Sequence, residues 1–329
     1  MAGLNISADM LIVGAGPVGL YAAYYAGFRG FTTVVCDTLP EIGGQISAMY
    51  PEKLIFDVAG FPQIRGRDLV EGLAAQAQAY SPRYVLGEQA VGLQQDEDGV
   101  TVTTNSGTII TAKVMLITGG IGAFRPRPLP AADAFAGEGI VFFVPSLAVH
   151  AGQDVVIVGG GDSAFDWALS LHPIAHSVTL VHRREAFRAH AGTVDKVRSL
   201  GVRLVTSSEV TAIEGGERVT AVHVTHKTSG EQQRIPADTV VAALGFIASI
   251  GPLADWGLDL DKRRLLVDTT MATNAPRVFA AGDIATYAGK VPLISIGFGE
   301  AALAVNNAAP LIDPTHGVFP GHSSGESSP

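Results

Sequence analysis

The sequence is poor in cysteine. Cys36 is the only cysteine among 329 residues, so no disulfide can form within the chain and no Cys-x-x-Cys redox pair exists. Because dithiol exchange requires thiolates, this absence excludes thiol–disulfide chemistry by a cysteine pair of the chain. We expect Cys36, at the end of a predicted buried strand, to be a core residue and not a reactive thiol.

The chain also lacks a surplus of basic residues and any long apolar run. Its net charge is −9, with 22 Lys and Arg against 31 Asp and Glu, and a nucleic-acid partner would need a basic face. No apolar stretch reaches the roughly 18 residues that cross a bilayer, and no charged region precedes an apolar one at the N-terminus. We therefore expect a cytoplasmic protein with neither a nucleic acid nor a membrane as partner.

Catalytic constellations are missing as well. We find no nucleophile triad, no metal-ligand cluster and no paired carboxylates, so the sequence predicts no metal site and no acid–base catalyst. The chain is 47% hydrophobic, which is enough to bury the cores of two domains. A reaction that needs only a bound cofactor is the kind that this composition allows.

Two glycine-rich turns are the main feature that is present. They occupy residues 14–19 and 159–164, each after an apolar run and each before an alanine-rich stretch. Glycines at this spacing let the backbone approach a phosphate, whose charge then meets free N–H groups at a helix N-terminus. The pair predicts two dinucleotide sites and hydride transfer between two dinucleotides.

Each turn lies in a strand–helix–strand pattern, at 9–37 and at 154–181. A later strand at 277–283 and a helix near 299–308 remain to complete the first sheet. This order predicts an α/β fold of two Rossmann-like domains, the second inserted in the first.

The two units differ in charge where the second strand of each ends. Asp37 follows the first turn by about 20 residues, where a carboxylate hydrogen-bonds a ribose hydroxyl and repels a 2′-phosphate. His182, Arg183, Arg184 and Arg188 stand at the matching place in the second unit, and guanidinium groups bind phosphate well. The first site therefore suits FAD or NAD, and the second suits NADP(H).

With these residues the chain resembles the two-dinucleotide flavoprotein reductases, most closely the thioredoxin-reductase-type ferredoxin–NADP⁺ reductases. The most specific shared pieces are 43–45, 50–53, 57–62, 182–190, 279–284 and 305–308. Thioredoxin reductases carry a Cys-x-x-Cys pair just ahead of the second turn, where this chain has Phe142-Phe143-Val144-Pro145. The resemblance implies an FAD-binding domain at 1–119 and 248–329, with an NADP(H)-binding domain at 120–247 inserted in it.

Motifs and resemblance together imply two sets of cofactor-binding residues. For FAD they are Gly14, Gly16, Gly19, Asp37, Gln45, Tyr50, Ala90, Phe124, Asp283 and Ser324. For NADP(H) they are Gly159, Gly161, Asp162, Ser163, His182, Arg183, Arg184 and Arg188. Asp162 and Ser163 fit the N-cap of the following helix equally well. The resemblance further implies that Tyr50 and His322 stack on the flavin ring, and that the C-terminal tail reaches across a homodimer.

The resemblance implies a reaction and an electron partner. Hydride would pass from NADPH to FAD and single electrons from FAD to ferredoxin or flavodoxin, or the reverse. Two alternatives remain open: an NADPH oxidase or diaphorase with a small acceptor, and a non-catalytic flavoprotein that senses NADP(H).

Overall fold

The computed structural model describes residues 4–321; the predicted tail residues His322 and Ser324 lie outside this range. The helices are α1 (Pro17–Phe28), α2 (Gln45–Met49), α3 (Gly66–Gln78), α4 (Asp162–Leu171), α5 (Ala191–Ser199) and α6 (Ile294–Ile312). The strands are β1 (Asn5–Val13), β2 (Thr33–Asp37), β3 (Leu54–Ile55), β4 (Ile64–Arg65), β5 (Arg83–Leu86), β6 (Ala90–Gln95), β7 (Val100–Thr104), β8 (Ile109–Ile117), β9 (Ala123–Pro126), β10 (Ile140–Val141), β11 (Asp154–Val158), β12 (Ser177–Val181), β13 (Arg203–Val205), β14 (Ser208–Gly215), β15 (Val219–His226), β16 (Gln232–Pro236), β17 (Thr239–Ala242), β18 (Phe246–Ser249), β19 (Leu260–Asp261), β20 (Arg264–Leu266), β21 (Val278–Ala280) and β22 (Ala285–Thr286).

The chain divides into two compact units. The first contains the residues up to Ser47, Leu54–Ala123 and the residues from Ala248 onward. The second contains Ala48–Lys53 and Phe124–Ile247. The expected α/β fold, with one dinucleotide-binding domain inserted in another, is confirmed. Which cofactor each domain binds stays a prediction at this point.

The first unit is built on a mixed sheet of order β5-β2-β1-β8-β7-β6, and β21 also pairs with β8. β1 is parallel to both of its neighbours, β2 and β8. Its residues Met10, Leu11 and Ile12 are fully buried, because a parallel strand between two others is covered on both faces. On one face, the alanines of α1 and α6 belong to a single buried cluster, and their small side chains let the two helices approach closely.

The second unit is built on a parallel sheet of order β10-β17-β11-β12-β13. One face packs against α4 and α5 through a buried cluster that includes Phe165, Leu171 and Val197. The other face shares a cluster with the antiparallel sheet β14-β15-β16. This is the layered arrangement that a doubly covered parallel sheet requires.

The last helix is longer than the sequence predicts. The expected helix at 299–308 is Ile294–Ile312 in the structure, because Gly297 does not break it. A Cβ added at Gly297 would lie 2.5 Å from Cγ2 of Val18, so this glycine serves close packing of α6 on α1. Within residues 4–321, no helix has the length and apolar character that a bilayer crossing requires.

Cys36 is a core residue, as expected. It is 1% exposed, and its thiol donates a hydrogen bond to the carbonyl of Glu88 at 3.4 Å. Burial, followed by the charges of Asp37 and Glu88, raises the pKa of Cys36 to about 12. The side chain is therefore a thiol at neutral pH, and a thiolate nucleophile is not formed there.

Candidate functional site: two glycine turns at helix N-termini

The outer glycines of the first turn are required by packing. Gly14 has φ +120, and a Cβ there would lie 2.6 Å from the carbonyl carbon of Thr118. A Cβ at Gly19 would lie 1.8 Å from the carbonyl oxygen of Gly14. The Thr118 hydroxyl donates a hydrogen bond to that same oxygen at 2.8 Å. These contacts hold β1, the turn and the start of α1 together.

Gly16, the middle glycine, has a different reason for lacking a side chain. Apart from its chain neighbours, the single atom of residues 4–321 within 4 Å of its Cβ position is Cα of Gly44, at 4.0 Å. Gly16 is also the N-cap of α1, and no side chain caps that helix. An open space in front of uncapped N–H groups is the environment that a pyrophosphate fits. The first turn thus has the geometry of a dinucleotide site.

Asp37 is bound directly to this turn. Its Oδ2 accepts the N–H of Ala15 at 2.6 Å, and its Oδ1 accepts the N–H of Leu39 at 2.8 Å. Burial raises the pKa of Asp37, and these hydrogen bonds lower it in part. Each carboxylate oxygen has a second lone pair, so the group can still accept a ribose hydroxyl. The backbone of Asp37 also accepts the N–H of Glu88 at 3.0 Å, two residues before Ala90.

Gln45 and Asp283 lie at the same edge of the first sheet as the turn. β1 and β21 both run parallel to β8, so their carboxyl ends meet at one edge. Asp283 follows β21 in a 3₁₀ turn, Gly282–Ile284, and its carboxylate has no hydrogen bond or ion pair within residues 4–321. The Nε2 of Gln45 lies 2.8 Å from the position of a Cβ on Gly120.

Tyr50 and Phe124, also expected to contact FAD, belong to the second unit in this structure. Tyr50 packs against the buried cluster around Phe165, and the nearby Lys53 forms an ion pair with Asp166 at 2.5 Å. Phe124 meets Phe246 edge to face, with ring centroids 6.0 Å apart. The flavin roles of Tyr50 and Phe124 remain predictions.

The second turn repeats the pattern of the first. A Cβ at Gly159 would lie 2.5 Å from the carbonyl oxygen of Ala243, and one at Gly160 would lie 2.3 Å from the ring of His182. A Cβ at Gly161 would have no neighbour within 4 Å. Gly161 is the N-cap of α4, again without a side-chain cap. The middle glycine once more faces open space in front of free N–H groups.

Asp162 and Ser163 are not the N-cap of α4. Gly161 occupies that position, so the N-cap interpretation of these two residues is wrong. The Asp162 carboxylate instead accepts the N–H of His190 at 2.9 Å, since the basic segment returns to the start of the helix. Ser163 is exposed in the first turn of α4.

The basic segment surrounds the second turn. Arg183, Arg184 and Arg188 are exposed, and their guanidinium groups have no hydrogen bond or ion pair within residues 4–321. The backbone N–H of Arg188 donates to the carbonyl of Gly160 at 2.8 Å. His182 is 9% exposed, and within residues 4–321 its Nε2 has no hydrogen-bond partner. Burial first, and then the three arginine charges, lower the pKa of His182.

Comparisons with known proteins agree with this geometry. Residues 8–307 match the family model described as pyridine nucleotide-disulphide oxidoreductase. The chain belongs to this family. It is 60% identical over 323 residues, 97% of each chain, to the ferredoxin–NADP reductase of Nocardioides sp. strain ATCC BAA-499 / JS614. It is also 60% identical to that of Salinispora tropica, over 97% of this chain and 98% of the relative. Among solved structures, thioredoxin reductase of T. acidophilum has a TM-score of 0.76 at 27% identity, covering 94% of this chain and 99% of that chain.

A Cys-x-x-Cys pair such as thioredoxin reductases carry is absent here, since Cys36 is the only cysteine of the chain. The stretch 142–145, just ahead of the second turn, contains Val144, which is fully buried. Residues 4–321 also contain no group of side chains that could hold a metal ion.

Three further residues contribute to the site without having been assigned a role from the sequence. Gly44, in the 43–45 piece, lies against Gly16, and a Cβ on it would be 2.9 Å from Cα of Gly16. Gly160 makes room for the His182 ring, and the run of three glycines is the sequence signal for it. Glu300 is buried beside Gly282, and no local pattern marks it.

We predict that Gly161→Ala separates folding from cofactor binding. The new methyl group meets no protein atom, so stability should fall by no more than about 1 kcal/mol, the cost of alanine at an N-cap. The methyl group would occupy the space of the pyrophosphate, so the Kd for NADP⁺ should rise at least about tenfold. Calorimetric titration and thermal melting measure the two effects.

Gly216→Ala is the matched control, because a Cβ at Gly216 also has no neighbour within 4 Å and Gly216 lies outside the turn. It should leave NADP⁺ binding unchanged. Equal NADP⁺ affinity of the Gly161→Ala and Gly216→Ala proteins would contradict the assignment of the second turn.

Proposed function

We propose that this chain is a flavoprotein oxidoreductase that transfers hydride between NADP(H) and FAD, and single electrons between FAD and ferredoxin or flavodoxin. Relatives that are 60% identical over nearly the whole chain carry the name ferredoxin–NADP reductase. The observation that carries the proposal is the difference between the two turns. A carboxylate stands beside the first turn, and three guanidinium groups without partners in residues 4–321 stand beside the second.

This difference supports one assignment of the two cofactors. Asp37 favours a ribose with free hydroxyls, as in FAD, and Arg183, Arg184 and Arg188 favour the 2′-phosphate that distinguishes NADP(H) from NAD(H). The uncapped N–H groups of α1 and α4 are suited to bind the two pyrophosphates. Asp283 can accept hydrogen bonds from FAD at the same sheet edge.

The residues of the chain bind and orient, and the cofactors supply the chemistry. When bound, FAD accepts electrons in pairs from NADPH and passes them on singly to a one-electron carrier. The protein must hold the nicotinamide against the flavin and exclude water, and it needs no acid, base or nucleophile for this. Cys36, a buried thiol with a pKa of about 12, has no role in the transfer.

The direct test is reduction of cytochrome c by NADPH with and without added ferredoxin or flavodoxin. We expect a yellow protein that NADPH bleaches, and cytochrome reduction that depends on the added carrier. Turnover at the same rate with quinones or oxygen alone, and no gain from any carrier, would favour the oxidase or diaphorase alternative. Binding of both cofactors without turnover would favour the sensor alternative.

Arg184→Ala should weaken the use of NADPH and leave the use of NADH nearly unchanged. A charge-assisted hydrogen bond to phosphate is worth about 1.5–3 kcal/mol, so the KM for NADPH should rise by roughly ten- to hundredfold. The KM for NADH should hardly change, because NADH has no 2′-phosphate. Arg218→Ala, which removes the same charge where Arg218 pairs with Glu138, is the control. Equal losses for both nucleotides would contradict the phosphate assignment.

The C-terminal tail forms part of the proposed site. Arg29 is 7% exposed, and its guanidinium donates to the carbonyls of Gly317 at 2.7 Å and Val318 at 3.2 Å. It also contacts the Asn306 side chain, which gives the 305–308 piece a structural role. The chain that leads into the tail is thus fixed at the C-terminal end of α1, the end opposite to the first turn. We propose that His322 stacks on the flavin and Ser324 binds beside it.

Deleting residues 321–329 tests this tail proposal. Aromatic stacking is worth about 0.5–1.5 kcal/mol, so the rate of flavin reduction or of reaction with oxygen should change by about two- to tenfold, with FAD content preserved. His322→Ala is the matched variant that removes only the ring. Unchanged stopped-flow kinetics and an unchanged flavin spectrum in both proteins would remove His322 from the site.

A homodimer in the cytoplasm is also part of the proposal. In the first unit, Phe56, Phe61, Leu293 and Ile296 are exposed apolar side chains. Their segments are joined because the Ser295 hydroxyl donates to the carbonyl of Asp57 at 2.9 Å. Exposed apolar groups of this kind favour association. The mass in solution, measured by sedimentation, tests the dimer.

A further inference from the structure

A buried ion pair lies beside the turn that carries Asp283. Lys290 Nζ contacts Glu300 Oε1, and the two side chains are 2% and 3% exposed. The same Oε1 accepts the Tyr287 hydroxyl at 2.7 Å. Oε2 accepts the backbone N–H of Gly282 at 2.8 Å. We call Glu300, Lys290 and Tyr287 the Glu300 network.

Stability alone does not explain this network. Removing two charges from water costs about as much as their attraction returns, and apolar replacements of buried ion pairs are often as stable as the pair. Burial first, and then the Glu300 carboxylate, raise the pKa of Tyr287 to about 12, so Tyr287 stays a neutral donor near neutral pH. What the carboxylate achieves that an apolar group could not is the fixed bond to Gly282.

The bond matters because the turn has little room to move. Gly282 has φ +80, and a Cβ on it would lie 3.2 Å from Cγ2 of Val18, in the first turn of α1. A Cβ at Gly297 would lie 2.5 Å from the same Val18 atom and 3.3 Å from Cα of Gly282. The Gly282–Ile284 turn therefore lies between α6 and the start of α1. A shift of this turn would move both Asp283 and the start of α1.

We propose that Glu300 is a positioning residue for FAD: it holds the Gly282–Ile284 turn so that Asp283 and the N-terminus of α1 meet the cofactor in one fixed arrangement. This inference rests on the proposed FAD site of the first unit. Lys290 balances the charge of Glu300. The Tyr287 hydroxyl holds Oε1 of the carboxylate, and Oε2 is left to bind Gly282.

Two double variants test the role of the bond to Gly282. Glu300→Met with Lys290→Met removes the acceptor and both charges, whereas Glu300→Gln with Lys290→Met keeps an acceptor. We expect both proteins to fold, since neither leaves an unpaired buried charge. In the first variant the Kd for FAD should rise by about ten- to hundredfold, the range found when groups that orient metal ligands are removed. In the second it should stay near that of the wild type.

The readouts separate positioning from general stability. FAD release from the purified holoproteins is followed by flavin fluorescence, and NADP⁺ binding and melting temperature are measured beside it. NADP⁺ affinity should not change in either variant. Glu138→Gln, at an exposed ion pair of the second unit, is the control for a lost carboxylate. If the two double variants bind FAD with the same Kd, whether this Kd equals that of the wild type or is higher, the proposal is overturned. A wild-type protein that holds no FAD would instead contradict the proposed function.

Discussion

The uncapped N–H groups at the start of α1 and α4 are the feature on which the account depends. Orphan N–H groups at a helix start are normally satisfied by a side-chain cap, by water or by a ligand. Here both N-caps are glycines without a side-chain bond, and the middle glycine of each turn faces open space. Gly14 and Gly159 lie close to the backbone of Thr118 and Ala243, so each turn packs closely against a neighbouring segment of its own sheet.

In the proposed function, charge gives the two openings different ligands. Asp37 is held by two backbone N–H groups, so its position beside the first turn is fixed before any ligand arrives. In the second unit the backbone of Arg188 is bonded to Gly160, while the guanidinium groups remain exposed. An acceptor held by the backbone suits a ribose, and exposed cations on a bonded backbone suit a phosphate that carries two charges. One chain can thus tell two dinucleotides apart.

The sequence could predict the parts of the site that depend on local chain geometry. Both turns, Asp37 and the basic segment follow from the spacing of residues within single strand–helix–strand units. Glu300 and Arg29 could not be found in this way, because their partners Gly282 and Gly317 are joined to them by tertiary packing and no periodic pattern marks the contact. The early start of α6 has the same kind of cause: Gly297 lies inside the helix because it contacts Val18, about 280 residues away in sequence.

The most direct test of the central claim is a crystal structure of the protein with FAD and NADP⁺ bound. We predict that each pyrophosphate lies at a helix N-terminus, within about 4 Å of Cα of Gly16 for FAD and of Gly161 for NADP⁺. The 2′-phosphate should lie among Arg183, Arg184 and Arg188. A structure in which either pyrophosphate binds away from these glycines, or in which NADP⁺ occupies the first turn, would contradict the account.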